Sequence, residues 1–101
     1  MKYKVVISDR AKRHLGKHVD FLKKVSMASA KKTKKTIVDS LRTLSEMPRR
    51  NPYVNIDALD RNYYRKMLID NRYLAIYHIT DDVVSVDYIF DCRQDYTWLM
   101  Q

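Results

Sequence analysis

The chain has 101 residues, with Lys+Arg 20 against Asp+Glu 12 and a formal net charge of +8. That length supports one domain, taken as residues 1–101, with a modest core, and a composition of 46% hydrophobic and 32% charged residues is globular rather than disordered. One glycine and two prolines exclude glycine-rich phosphate loops of the Walker or dinucleotide-binding type, and the single Cys92 excludes an internal disulfide and a multi-cysteine zinc cluster.

The charge is unevenly spread. Residues 1–50 hold 15 basic and 4 acidic side chains, net +11, whereas residues 51–101 hold 5 and 8, net −3. A block this basic suits a polyanion or an acidic protein partner, or simply a solvated face that keeps a small protein soluble. With no signal-peptide pattern and no apolar run near ~18 residues, the chain is expected to be cytosolic and soluble.

Residues 3–8 (YKVVIS) are short and β-branched and predict a first strand. Ser8 or Asp9 then offers an N-cap to a helix starting near Arg10, where Ala11, Leu15, Val19, Leu22 and Val25 recur at helical spacing. A turn at Ser26 leads to a second helix with Ala30, Ile37, Leu41, Leu44 and Met47 on one stripe, ended by Pro48. The two stripes predict an antiparallel helical hairpin. Lys31, Lys32, Lys34 and Lys35 wrap the exposed side of its second helix. Residues 49–62 are polar and rich in turn formers. Three strands follow, over 63–69, 73–79 and 83–90, with short polar gaps that predict an antiparallel meander. The order β-α-α-β-β-β is an α+β layout with the hairpin on one sheet face and the other face left for a partner or a site.

His14 and His18 stand four apart on the first helix, the spacing of a shared metal, but have no acidic or cysteine ligand nearby; boundary histidines are the expected reading. Cys92 lacks an activating base in sequence. Chemistry is better sought in Tyr64, Arg65, Lys66, Arg72, His78, Arg93 and Tyr96, with Asp57 upstream. Arginine and lysine can hold a phosphodiester and stabilise charge building on it, while tyrosine or histidine can move a proton or stack on an unpaired base.

The opening "YKVVISDRAKRHL", the Tyr-Arg-Lys strand start, "YLAIYHITDD" and the closing "CRQDY" together resemble the RelE/ParE superfamily of bacterial toxins from type II toxin–antitoxin modules. The resemblance spans nearly the whole chain and implies the fold derived above. It also implies one of two activities. RelE-like and YoeB-like members cut mRNA on the ribosome without metal and so inhibit translation; ParE-like members inhibit DNA gyrase and are not nucleases. In both, a cognate antitoxin neutralises the toxin, and no cofactor is implied.

Carried over residue by residue, Arg65 falls on the basic residue that opens the second strand of the RelE-like branch, and Arg93 falls in the closing basic motif. Met67, Leu74 and Gln94 stand where further cations are common, although Arg72 lies two residues from Leu74. Tyr96 sits near the family's C-terminal tyrosine, and Asp57, in "NIDAL", resembles an acidic base of YoeB-like members. His78 has no counterpart and is expected to pack at the sheet edge. The first expectation is therefore an mRNA endoribonuclease. Arg65 and Arg93 would hold the phosphate, Tyr96 would stack or position a proton, and Asp57 would act as base. Lys66, Arg72, Lys31, Lys32, Lys34 and Lys35 would contact nucleic acid. The alternative is a gyrase inhibitor in which those residues are structural or bind antitoxin.

Overall fold

The computed structural model describes residues 2–54 and 62–93. Strand β1 (Lys4–Ile7) is followed by helices α1 (Asp9–Lys23) and α2 (Met27–Arg42), two short 3₁₀ turns (Thr43–Ser45 and Pro48–Arg50), and strands β2 (Tyr64–Ile69), β3 (Tyr73–Thr80) and β4 (Val83–Asp91). The sheet order is β1-β4-β3-β2, with β1 parallel to β4 and the other pairs antiparallel. The expected β-α-α-β-β-β order and the meander are both present.

Local chemistry explains the boundaries. Ser8 caps α1, its side chain accepting from the Ala11 N–H at 3.1 Å, and Ser26 caps α2 in the same way through Ser29. The β2–β3 turn uses Asp70 and Asn71, both at positive φ, with the Arg72 N–H closing on the Ile69 carbonyl at 3.1 Å. Those are the residue types that tolerate left-handed backbone best after glycine. The second helix ends earlier than its apolar stripe suggests. It stops at Arg42, Leu44 is buried from a 3₁₀ turn, and Met47 adopts φ 49° with its side chain 74% exposed. Pro48 therefore opens a 3₁₀ turn instead of ending α2. Val25 is likewise off the core stripe, because α1 has already ended at Lys23.

The core lies between the hairpin and one sheet face. Ala11, Leu15, Val19 and Leu22 of α1 and Ala30, Ile37 and Leu41 of α2 pack on Met67, Ile69, Tyr73, Ala75, Tyr77, Val84, Val86 and Ile89. Each large aliphatic side chain buried there contributes about 1.5–3 kcal/mol. The opposite face carries a smaller cluster of Val54, Ile76 and Phe90, flanked by Tyr64, Leu74 and Tyr88.

The two histidines of α1 solve an edge problem. Strand β1 covers β4 only from Val83 to Val86, after which the Ser8 N–H takes the Val86 carbonyl at 2.9 Å. Beyond that point His14 Nδ1 accepts the Ile89 N–H at 3.1 Å, and His18 Nε2 donates to the Ile89 carbonyl at 2.8 Å. Two imidazoles thus take the place of a neighbouring strand. Burial first, then the positive fields of His18, Arg10, Lys17 and Arg13, hold His14 below its ordinary pKa of 6.5. The neutral ring is also what the Ile89 bond requires, since a protonated Nδ1 cannot accept.

This sets the sign of a pH effect. The His14 contribution to stability is complete above pH 6.5, its unfolded value, and is lost as pH falls through the lowered folded value. The unfolding midpoint should therefore drop on acidification below about pH 6.5, and thermal unfolding of His14→Gln should lack that part of the slope.

Candidate functional site

Arg65 and Arg93 do not converge. Strand alternation turns Arg65 toward the hairpin face, where it lies over the segment that precedes residue 55. Its Nη1 donates to the carbonyls of Asn51 at 2.7 Å and Arg49 at 3.2 Å, and its guanidinium sits 4.1 Å from the Tyr53 ring centroid. Tyr53 bridges to Arg65 along the open edge of β2. Arg65 is thus a tether between that edge and residues 49–53.

Arg93 lies past the far end of the sheet. Arg65 pairs with Tyr77, whereas Asp91 pairs with Tyr73 on the other side of β3. Four residues of strand separate the two registers, ~13 Å along the strand axis, and the two arginines are engaged by different partners. Buried Asp91 instead collects the local cations: Arg72 Nη2 at 3.3 Å, the Arg93 backbone N–H at 3.0 Å and Arg93 Nε at 3.5 Å. A buried carboxylate needs such partners. Burial and Asp91 together raise the neighbouring Cys92 thiol above its ordinary pKa, which disfavours a thiolate.

The lysine candidates are dispersed. Lys66 is exposed on the sheet face away from the hairpin, and Lys31, Lys32, Lys34 and Lys35 are exposed on α2, where Lys35 pairs with Asp39 at 2.8 Å. Asp57, Gln94 and Tyr96 lie outside the described residues. Among the described residues no cluster of three or more His, Cys, Asp or Glu side chains stands ready to hold a metal ion.

What the fold does bring together is a cluster of two of the expected residues, Tyr64 and His78, with three that the sequence did not single out, Tyr63, Ser85 and Asp87. His78 is not at a sheet edge but on the central strand β3, facing away from the hairpin between Tyr64 and Ser85. The register slips between Ile76, which pairs with Tyr88, and Tyr77, which pairs with Val86; Asp87 is the extra residue of a β-bulge. Its carboxylate accepts from Tyr64 Oη and Ser85 Oγ at 3.2 Å each and faces His78 Nε2 at 3.2 Å. With the Nε2 proton directed at the carboxylate, His78 Nδ1 is the acceptor for the Tyr63 hydroxyl at 3.0 Å. The Tyr63 ring stacks on the imidazole at 4.8 Å between centroids.

The chemistry of this chain is directional. Asp87 orients His78, and His78 presents a basic nitrogen to a phenol, the order in which a carboxylate, a base and a hydroxyl act in proton transfer. Tyr64 has a different part. Burial, then the Asp87 charge, push its pKa up to about 12, so it stays a donor to the carboxylate at neutral pH. Arg10 of α1 lies 4.7 Å from the Tyr88 ring centroid at the margin of the same face. The available sequence signal was a pair of polar residues, Ser85 and Asp87, inside an apolar strand.

Comparison with known proteins places the chain. A family profile described as the ParE toxin of the type II toxin-antitoxin system, parDE, matches residues 5–96. Among solved structures it is similar to the "Chromosomal ParDE TA system from P. aeruginosa", with a TM-score of 0.71 over 89% of this chain and 96% of that one. At 13% identity this likeness speaks to the fold alone. No curated protein matches the sequence. The family profile covers most of the chain, and the protein belongs to the ParE toxin family of type II toxin–antitoxin systems.

Proposed function

We propose that this toxin acts by binding a protein target, DNA gyrase, as the ParE-like branch does, and that a cognate antitoxin restrains it. The observation that carries this reading is the dispersal of the cations. Arg65 is engaged by two backbone carbonyls and an aromatic ring, Arg72 and Arg93 gather on Asp91, and the two ends stand ~13 Å apart along the strand axis. Phosphodiester cleavage needs cations preorganised at the position where charge develops. Binding a protein surface makes no such demand. The arginines of the basic first half, among them Arg10, Arg13 and Arg42, suit an acidic protein partner, an antitoxin segment as well as a target.

Metal-independent mRNA cleavage on the ribosome is the second reading, and one observation favours it: the Asp87–His78–Tyr63 chain offers an oriented base on an open sheet face. A single culture separates the two. After brief induction, mRNA ends are mapped and chromosomal breaks are scored. Breaks with intact mRNA are expected here; codon-phased mRNA cuts without breaks would replace this reading with the second.

A further inference from the structure

The tip of the helical hairpin is built unlike the rest of the surface. The connection between α1 and α2 is only three residues long and is tightly bonded, with the N–H groups of Val25 and Ser26 both closing on the Leu22 carbonyl at 3.0 and 2.8 Å. On this rigid tip three large apolar side chains face away from the core: Phe21 is 56% exposed, Val25 79% and Met27 54%. Leu22 and Ala30, beside them in sequence, already fill the core positions. The fold therefore makes no use of this apolar tip.

The charges around it follow a pattern. Lys17 is four residues before Phe21 on α1, and Lys31 is four residues after Met27 on α2. Each pair shares a helix face, so a lysine is anchored one turn behind the apolar tip on both helices, its backbone position about 6 Å back along the axis. Lys24 adjoins Val25, and Lys32 follows Lys31. All four lysines are exposed, and none forms an ion pair among the described residues. No arginine lies between Arg13 and Arg42.

We infer that the hairpin tip docks on an anionic lipid bilayer, with Phe21, Val25 and Met27 entering the interface and the lysines one turn behind held at headgroup level. The dimensions agree: interfacial apolar side chains enter about 5–10 Å, and the backbone positions of Lys17 and Lys31 stand about 6 Å behind Phe21 and Met27. The choice of lysine argues for a diffuse negative surface. Protein interfaces are depleted of lysine, and phosphate groups recognised one at a time favour the bidentate arginine fork. Polyphosphate backbones, for their part, give three exposed apolar side chains nothing to contact. Lysines near an anionic membrane surface add attraction that salt screens. No helix among the described residues is long and apolar enough to cross a membrane, so the contact is made at the surface.

The test is co-sedimentation of the full chain with large vesicles of phosphatidylcholine alone or with one-third phosphatidylglycerol, beside a duplex DNA binding assay. Binding to the anionic vesicles should exceed binding to phosphatidylcholine by about tenfold or more and should weaken in high salt. The double substitution F21S/V25S should lower it about tenfold at unchanged charge, and K24Q/K31Q/K32Q should lower it comparably. All these side chains are exposed, so circular dichroism and urea midpoints should match the unsubstituted chain and show that the variants fold. Equal binding to both vesicle types would overturn the inference. So would undiminished binding by F21S/V25S, or a preference for duplex DNA that excludes vesicles.

Discussion

Replacing Tyr77 with alanine should cost about 3–5 kcal/mol of folding stability, in the range measured for large aromatic truncations in cores. Tyr77 is wholly buried at the middle of β3, between Arg65 of β2 and Val86 of β4, at the point where the bulge shifts the register. Its ring fills the core beneath the hairpin, while its hydroxyl donates to the Pro48 carbonyl at 2.6 Å and accepts from Asn51 Nδ2 at 3.0 Å. The side chain thus joins sheet, core and the 48–51 segment. Set against a total stability of roughly 5–15 kcal/mol for an ordinary domain, the loss should leave much of the protein unfolded near 37 °C. Urea titration followed by circular dichroism measures it. Tyr77→Phe keeps the ring but strands a carbonyl and an amide, and should cost about 1–3 kcal/mol. A cost below 1 kcal/mol for the alanine variant would mean that this tyrosine does not hold the layers together.

The second large effect belongs to Asp87. Its carboxylate is mostly buried and receives Tyr64, Ser85 and His78. Asp87→Ala leaves those donors facing a gap, and hydrogen bonds to a charged group are worth about 1.5–3 kcal/mol each before solvent screening. Partial exposure tempers the sum, so about 2–3 kcal/mol is expected from urea unfolding. Tyr63→Phe distinguishes structure from chemistry here. It removes the exposed hydroxyl on His78 Nδ1 and leaves the carboxylate network intact. Under the protein-binding account this variant arrests growth as the unsubstituted toxin does. Loss of arrest from a chain of unchanged stability would shift the account toward proton transfer at His78.

Much of the fold could be read from local pattern. Three- and four-residue apolar spacing gave both helices, Ser8 and Ser26 gave their caps, and Asp70-Asn71 gave a hairpin turn. The failures share a cause. Met47 and Val25 continue a helical spacing beyond the point where the backbone leaves the helix, and spacing alone does not mark that point. The parallel pairing of β1 with β4 and the bulge at Asp87 depend on register between distant segments.

The candidate site was less legible for the same reason. Arg65 and Arg93 are residue types suited to phosphate, but the sequence does not show what engages each of them: the Asn51 carbonyl, 14 residues away, for Arg65 and buried Asp91 for Arg93. His14 and His18 have metal spacing, yet each commits one ring nitrogen to the backbone of Ile89 in β4. His78 drew attention as a residue type, but its orientation comes from an aspartate nine residues away on the next strand, displaced there by one extra residue.

The most direct measurement adds the purified toxin to two reactions. One is DNA gyrase supercoiling a relaxed plasmid, and the other is ribosomes translating a defined mRNA. Supercoiling is expected to stop, or cleaved plasmid to accumulate, while the mRNA stays whole. Codon-phased mRNA cutting on the ribosome, with gyrase unaffected at the same toxin concentration, would contradict gyrase as the target.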